Sequence, residues 1–138
     1  MEDGQGYQEG LTTLKPESKF YGEVKKNFKK FSLIRLENLS LAGTPDLLVY
    51  NDFGTFFTIE LKVVKGSKIR FSPHQIAFHV RHPNNTFILV KHLASRDVKL
   101  YEGKDILELA ACGLSLEPRC SSLDACRSLL ESLGASEA

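Results

Sequence analysis

Gly43-Thr44-Pro45-Asp46-Leu47-Leu48-Val49-Tyr50 is the first of two apolar runs that decide how this chain folds. The second is Thr55-Phe56-Phe57-Thr58-Ile59-Glu60-Leu61-Lys62-Val63-Val64. Both are rich in β-branched, aromatic or other apolar residues, which predicts strands over 46–50 and 55–64. The residues between them, Asn51-Asp52-Phe53-Gly54, favour a tight turn, so the two strands are expected to form an antiparallel hairpin.

Three charged residues lie within these apolar runs, although a charge buried without a partner is costly. Side chains two positions apart on a strand share a face, so Glu60 and Lys62 are expected to emerge together. With 51–54 as the turn, Asp46 is expected to oppose Thr58 or Ile59, within one position of Glu60. The two carboxylates would then lie close enough to share one ion. The alternate residues of the second run are expected to face the core: Ile59, Leu61 and Val63.

Two carboxylates beside a lysine suit the chemistry of phosphodiester hydrolysis. Mg²⁺ prefers hard oxygen ligands such as Asp46 and Glu60. The bound ion polarises a phosphoryl oxygen and lowers the pKa of a coordinated water. Lys62 can orient that water and offset charge in the transition state. The alternative is structural, with Asp46 ending a loop and Glu60 and Lys62 forming a weak ion pair on the strand surface.

The bulk properties are those of a soluble globular domain. A chain of 138 residues suits one domain, and no apolar run approaches the roughly 18 residues of a membrane span. The N-terminal residues 1–6 are acidic and polar, unlike a signal peptide, so a cytoplasmic, non-secreted protein is expected. The odd cysteine count without C-x-x-C spacing predicts reduced thiols rather than a zinc site or a disulfide framework. These cysteines are Cys112, Cys120 and Cys126.

The charge is distributed unevenly along the chain. Residues 1–101 carry 15 Lys and Arg against 10 Asp and Glu, a net charge of +5. Residues 102–138 carry 3 against 7, a net charge of −4. A basic half that contains the proposed site suits a polyanionic substrate, although a solvated surface of mixed charge has a similar composition.

Three parts are predicted along the chain: a flexible arm over 1–14, a core over 15–101 and a helical extension packed on the core over 102–138. Pro16 suits the first turn of a helix, whose apolar stripe is Phe20, Val24, Phe28 and Phe31. A first strand is predicted over 32–37. Ser72 and Pro73 open a second helix that runs to about Arg81. Further elements follow: a buried strand over 86–90, a short edge strand over 98–101, and helices over 103–111 and 122–133.

The order helix, three-stranded meander, helix, strand predicts an α/β fold with a mixed central sheet flanked by helices. The strand over 86–90 should run parallel to a meander strand, because a crossover helix precedes it. The two C-terminal helices form a small appendage, which either packs on the core or serves as a dimerisation or partner element.

Pro45-Asp46, followed fourteen positions later by Glu60-Leu61-Lys62, resembles the motif of the PD-(D/E)xK nuclease superfamily, and the element order resembles its restriction-endonuclease-like core. The context Gly43-Thr44-Pro45-Asp46 and Ser72-Pro73-His74-Gln75 resembles more narrowly the virus-type replication-repair nuclease (VRR-NUC) branch. That branch is similar to the archaeal Holliday-junction resolvases. The resemblance covers roughly residues 15–92.

The resemblance implies a role for each matching residue. Asp46 and Glu60 would be metal ligands, with the backbone carbonyl of Leu61 as a third, and Lys62 would be the catalytic lysine. Gln75 matches the glutamine that supports the site in this branch. An acidic residue on the first helix would complete the site, and Glu17 is preferred over Glu23. The expected DNA contacts lie just beyond the site, at Lys65, Lys68, Arg70 and His74.

The resemblance therefore implies a Mg²⁺-dependent endodeoxyribonuclease, in which Mn²⁺ should substitute for Mg²⁺. Its expected substrate is branched or structured DNA in replication, recombination or repair. A homodimer is expected, because a four-way junction presents two symmetric strands. Two alternatives remain open: a nuclease on flaps, nicks or single strands within a phage or mobile-element replication system, and a catalytically inactive DNA-binding module.

Overall fold

The computed structural model describes residues 15–36 and 42–135. The predicted arm over 1–14, the end of the predicted first strand and the last three residues lie outside the described ranges. The described helices and strands occur in the chain order α1 Pro16–Asn27, β1 Ser32–Arg35, β2 Leu47–Tyr50, β3 Phe56–Val64, α2 Pro73–Arg81, β4 Thr86–His92, β5 Val98–Glu102, α3 Ile106–Cys112 and α4 Leu123–Glu131.

The strands form one five-stranded sheet in the order β1-β2-β3-β4-β5. The β1–β2, β2–β3 and β4–β5 pairs are antiparallel, and β3 and β4 are parallel. The parallel pair follows from the chain path, because α2 carries the chain from the end of β3 back to the start of β4. The predicted α/β fold with a mixed sheet flanked by helices is confirmed, as is the predicted parallel pairing.

The β2–β3 register differs by one position from the prediction. Leu47 pairs with Ile59 and Tyr50 with Phe56, which places Asp46 level with Glu60 rather than with Thr58 or Ile59. The reason is a turn one residue longer than 51–54, in which the Asn51 N–H donates to the Thr55 carbonyl. Thr55 therefore belongs to the turn and β3 begins at Phe56. The shift brings the two carboxylates closer than the sequence predicted.

One face of the sheet is covered by α1 and α4. The predicted apolar residues do face the core, because Phe20, Val24 and Phe28 are buried and Phe31 packs partly buried against them. The helix is shorter than predicted, since α1 ends at Asn27 and Phe28 and Phe31 follow it. Burying a large apolar side chain contributes about 1.5–3 kcal/mol, so this stripe holds α1 firmly on the sheet. The buried residues that the sheet and α4 add to this cluster are Leu47, Val49, Phe57, Ile59, Leu61, Phe87, Leu89, Val98, Leu100, Cys126 and Leu130.

The other face carries a second cluster, into which α3 packs. Ile106 and Leu109 of α3 are buried against Ile88 and Val90 of β4, and Ile76 of α2 packs against the same cluster. The C-terminal helices therefore cover both faces of the sheet, α4 on one and α3 on the other.

The C-terminal end of α4 is also tied to the β2–β3 turn. The Asn51 side chain donates to the carbonyls of Leu130 and Leu133 at the end of this helix, and the Thr55 hydroxyl also donates to the Leu133 carbonyl. The same side chain accepts hydrogen bonds from the backbone N–H groups of Phe53 and Thr55. One buried asparagine thus fixes both the turn that sets the β2–β3 register and the end of the last described helix.

Two smaller predictions concern covalent bonds and membranes. The three cysteines, all within the described ranges, form no disulfide, as predicted. No helix in residues 15–36 and 42–135 is both long enough and apolar enough to cross a bilayer.

Candidate active site

The site lies at the start of β2, where the neighbouring strand β3 extends beyond it. Asp46 is the residue before β2, whereas Glu60 and Lys62 lie inside the longer β3. The intervening Leu61 is 3% exposed and Ile59 is fully buried, both in the cluster under α1. The predicted parity of β3 is confirmed, since the charged and the apolar side chains leave opposite faces of the strand.

Asp46 is fixed to β3 by its own side chain. Its Oδ2 atom accepts a hydrogen bond of 2.7 Å from the backbone N–H of Leu61. Because the N–H and C=O of one strand residue point toward the same edge, the Leu61 carbonyl also faces the side of Asp46. The carboxylate and the carbonyl, both predicted as metal ligands, therefore share one edge of β3.

Glu60 is a buried carboxyl group in which one of the two oxygens has a hydrogen-bond partner among the described residues. Its residue is 3% exposed, and its Oε2 atom accepts a hydrogen bond of 3.0 Å from the Gln75 amide. Its Oε1 atom is buried without a hydrogen-bond partner in residues 15–36 and 42–135. Burial, followed by the negative charge of Asp46, raises the pKa of Glu60 to about 9, although the positive charge of Lys62 acts in the opposite direction.

Gln75 connects the two catalytic side chains predicted on β3. Its Oε1 atom accepts a hydrogen bond of 3.1 Å from the Lys62 ammonium, and its amide nitrogen donates to Glu60. The ammonium also lies 5.0 Å from the centre of the Phe71 ring, within cation–π range. A neutral amide thus holds a cation and a carboxyl side by side, with one donor and one acceptor used.

The same glutamine side chain defines the start of α2. Ser72 is the N-cap, and its hydroxyl accepts a hydrogen bond from the Gln75 N–H. In return the Ser72 N–H donates to the Gln75 side-chain oxygen at 3.0 Å. This capping box, with Pro73 at the first helical position, fixes the Gln75 rotamer through the helix terminus. The predicted cap and proline positions are confirmed.

Gly43 brings the loop that precedes Asp46 against the first turn of α2. Its φ angle is +85°, in the left-handed region that glycine tolerates. A Cβ atom at this position would lie 2.3 Å from the His74 carbonyl oxygen. The loop that carries Asp46 and the helix that carries Gln75 therefore pack backbone to backbone, which only glycine permits.

The structure distinguishes Glu17 from Glu23, the two acidic residues of α1 that could complete the site. Glu17 lines a cavity of about 130 Å³ together with Asp46 and Leu61. Desolvation, followed by the charge of Asp46, raises the pKa of Glu17. Glu23 lies elsewhere, where its carboxylate accepts a hydrogen bond of 2.7 Å from Lys91. Of the two, Glu17 is therefore the acidic residue of α1 that lies beside Asp46.

The oxygen donors present fit a hard divalent cation, but not as a cluster of three acidic side chains. Within residues 15–36 and 42–135, no three His, Cys, Asp or Glu side chains form a group that could hold a metal. What converges is the pair Asp46 and Glu60 with the Leu61 carbonyl beside them. The unpartnered Glu60 Oε1 atom and the raised pKa both indicate a position where a cation would relieve an electrostatic cost.

The predicted DNA-contacting residues lie on the surface beyond Lys62. Lys65, Lys68, Arg70 and His74 are all exposed, the first three in the segment from β3 to α2 and the fourth on the first turn of α2. Two residues near the site were missed in the sequence. Phe71 lies beneath Lys62, and Arg35 lines the cavity of Glu17. The position of Arg35 opposite Leu47 could have been found from the β1–β2 pairing.

Comparison of the chain with models of known protein families gives no match. No curated protein is significantly similar to it. The likeness to PD-(D/E)xK nucleases therefore depends on the motif residues Pro45, Asp46, Glu60 and Lys62 and on the contacts described above.

If the site cleaves phosphodiesters as the sequence predicts, replacing Gln75 with methionine is expected to lower the cleavage rate by about ten- to a hundred-fold, because the variant loses both contacts that orient Lys62 and Glu60. Ser72→Ala is the matched control, since it removes the other half of the capping box and leaves those contacts intact. Each variant should lose about 1 kcal/mol of unfolding free energy. Initial cleavage rates and denaturant unfolding of both variants check this, and equal loss of activity in the two would refute a positioning role for Gln75.

Proposed function

We propose that this protein is a Mg²⁺-dependent endodeoxyribonuclease with a restriction-endonuclease-like core, of the PD-(D/E)xK type and VRR-NUC-like. The observation that carries the proposal is the hydrogen-bonded series Lys62–Gln75–Glu60 beside Asp46, in which a buried carboxylate keeps one oxygen unpartnered among the described residues. A surface ion pair would not need a buried carboxylate or a bridging amide. A site that binds a cation and then a phosphate can use both, the carboxylate as a ligand and the amide to hold Lys62 in place.

In this proposal Asp46, Glu60 and the Leu61 carbonyl hold Mg²⁺, and Mn²⁺ can replace it. The ion supplies Lewis-acid chemistry at a phosphoryl oxygen and acidifies a bound water. Lys62 keeps a positive charge next to the reacting phosphate, where it orients the nucleophile and offsets developing negative charge. Gln75 holds the ammonium in place, and Glu17 adds negative charge on the α1 side of the site.

The substrate we propose is branched or structured DNA, cut by a homodimer during replication, recombination or repair in a bacterial or phage-infected cell. The resemblance to junction resolvases supports this choice. The exposed cations beyond the site, Lys65, Lys68 and Arg70, suit a phosphate backbone. A nuclease for flaps, nicks or single strands is the second candidate, because the exposed, stacked rings of Tyr50 and Phe56 suit unpaired bases. The presence of Asp46, Glu60 and Lys62 in one site argues against an inactive module.

A panel of end-labelled DNAs tests the proposal. Duplex, flap, nicked, single-stranded and four-way-junction substrates of matched sequence would be incubated with the protein and Mg²⁺. We expect symmetric incisions in the junction at the highest rate. A higher rate on flaps or single strands would favour the second candidate instead. Light scattering during size-exclusion chromatography measures the oligomeric state in the same preparation.

Glu60→Gln is expected to stabilise the metal-free protein at about pH 8. Because the folded-state pKa of Glu60 is raised from 4.5 to about 9, the folded state binds more protons than the unfolded state between these values. The unfolding free energy of the wild type therefore falls as the pH rises through this window. The amide has no proton to lose, so the difference between variant and wild type should grow with pH.

Thermal unfolding in EDTA across this pH range measures that difference. Mg²⁺ should then raise the wild-type Tm more at high pH and leave the Tm of the variant nearly unchanged, because the variant lacks one anionic ligand. If the variant is less stable than the wild type at every pH, the Glu60 carboxylate stabilises the fold and does not destabilise it.

A further inference from the structure

A pair of exposed aromatic rings lies on the sheet outside the site. Tyr50 and Phe56 are register partners across β2 and β3, and their rings stack with centroids 4.0 Å apart and planes 9° apart. Tyr50 is 40% exposed and Phe56 49% exposed. Ile34, 51% exposed on the edge strand, lies on the same face, because it pairs with Leu48, two residues from Tyr50. These three residues, Ile34, Tyr50 and Phe56, are termed the aromatic platform.

The aromatic platform and the candidate site share one face of β3. Phe56, Thr58, Glu60 and Lys62 alternate with residues of the buried cluster under α1, so their side chains leave the strand on the same side. Glu60 follows Phe56 by four positions along the strand, a rise of about 13 Å. That distance corresponds to about four stacked nucleotides at 3.4 Å each. A DNA strand with one phosphate at Glu60 can therefore place a base about four nucleotides away on the platform.

The cation that shares a face of β3 with the platform is Lys62, six positions beyond Phe56. Lys30 does not belong to this surface, because it lines a cleft with Asp52, Phe53 and Glu131 on the side of the sheet that α4 covers. Exposed aromatic rings on one face with a lysine and a candidate phosphate-cutting site match the composition of surfaces that bind single-stranded nucleic acid. A surface for a protein partner would not need this continuity with the site.

We propose that the aromatic platform binds unpaired nucleotides of the DNA substrate, whose bases stack on Tyr50 and Phe56 within about four nucleotides of the cleaved bond. The proposal rests on the proposed nuclease activity and, within it, favours the second candidate substrate, because it selects DNA with a single-stranded segment next to the cut over a fully paired junction. Stacking depends little on which base is present, so the platform would bind unpaired bases without sequence specificity.

Binding in EDTA tests this without any cleavage. Fluorescence anisotropy would measure the affinity of the wild type for a labelled oligothymidine and for a blunt duplex of similar charge. The double variant Tyr50→Ser and Phe56→Ser should weaken binding of the oligothymidine by about 10- to 100-fold, as expected for the loss of one or two stacked bases. Its affinity for the duplex should change little. Leu107→Ser, at a 62% exposed position on α3, is the matched control and should change neither affinity.

A second variant separates stacking from simple apolar contact. Tyr50→Leu with Phe56→Leu keeps an apolar surface without aromatic rings, and it should lose affinity for the oligothymidine nearly as strongly as the serine variant. Full affinity in the leucine variant, or no binding of the oligothymidine by the wild type, would overturn the proposal. So would a dissociation of dimer to monomer in the serine variant with unchanged DNA affinity, which would identify the platform as a contact between copies.

The outcomes also distinguish this proposal from the proposed function. If the wild type cuts DNA and the serine variant still binds the oligothymidine normally, the platform proposal fails and the nuclease proposal stands. If the wild type cuts nothing but the serine variant loses affinity for the oligothymidine, the nuclease proposal fails and the platform stands as a binding surface.

Discussion

Lys62→Met should lower the rate of Mg²⁺-dependent DNA cleavage by about a hundred- to a thousand-fold, while DNA affinity changes little. Methionine keeps most of the length of the side chain and its packing near Phe71, but it removes the charge that Gln75 holds beside Glu60. The loss should therefore appear in the chemical step. Single-turnover cleavage at saturating enzyme measures that step, and anisotropy in EDTA measures the affinity.

Lys99→Met is the matched control for the loss of one positive charge. Val90 is the register partner of both Lys62 and Lys99, so the two lysines lie in one row of the sheet, two strands apart, at about 10 Å. A purely electrostatic contribution to DNA binding would make the two variants similar. If Lys99→Met slows the chemical step as much as Lys62→Met, or if Lys62→Met cuts normally, the assignment of Lys62 is wrong.

Gly43→Ala should cost about 3 kcal/mol or more of unfolding free energy and lower cleavage by about a hundred-fold. A residue with a Cβ atom is strained at a φ of +85°, which accounts for about 1–2 kcal/mol. The new Cβ atom would also lie 2.3 Å from the His74 carbonyl oxygen, so the backbone must move. Because this loop carries Asp46, a shift of about 1 Å is enough for the expected loss of activity.

Gly54→Ala isolates the two contributions to that loss. Gly54 has a comparable φ of +77°, but nothing lies within 4 Å of a Cβ atom placed there. It should lose only the 1–2 kcal/mol or so of backbone strain and keep its cleavage rate. Denaturant unfolding and cleavage assays of both variants make the comparison. Equal losses of stability in the two would show that the contact of Gly43 with α2 is unimportant.

Much of this site was accessible from sequence because strand parity is a local property. The alternation around Glu60 and Lys62 requires only that β3 be a strand, which its composition predicts. The cap at Ser72 is equally local, since it depends on a proline and a hydroxyl beside an apolar periodic segment. Where a few neighbouring residues decide the conformation, the prediction and the structure agree.

The remaining features depend on contacts between distant parts of the chain. The turn that sets the β2–β3 register is held by Asn51, whose side chain also donates to carbonyls at the end of α4, about eighty residues later. The choice of Glu17 over Glu23 required the position of α1 on the sheet and the partner of Glu23, Lys91. The covering of both sheet faces by α3 and α4 likewise follows from packing, which an amphipathic pattern alone does not assign to one face.

The contacts of Gln75 show how one residue can serve both the fold and the site. As the third residue of α2 it completes a capping box, and its side chain also holds Lys62 and Glu60. The position of the site lysine is therefore coupled to the start of α2.

The most direct test of the central claim is cleavage of the labelled DNA panel by the purified wild-type protein in Mg²⁺ and in EDTA. We predict incision of at least one substrate in Mg²⁺, incision with Mn²⁺ in its place, and none in EDTA. Absence of any incision with either metal, in a preparation shown to be folded by circular dichroism, would contradict the assignment of Asp46, Glu60 and Lys62 as a phosphodiester-cleaving site.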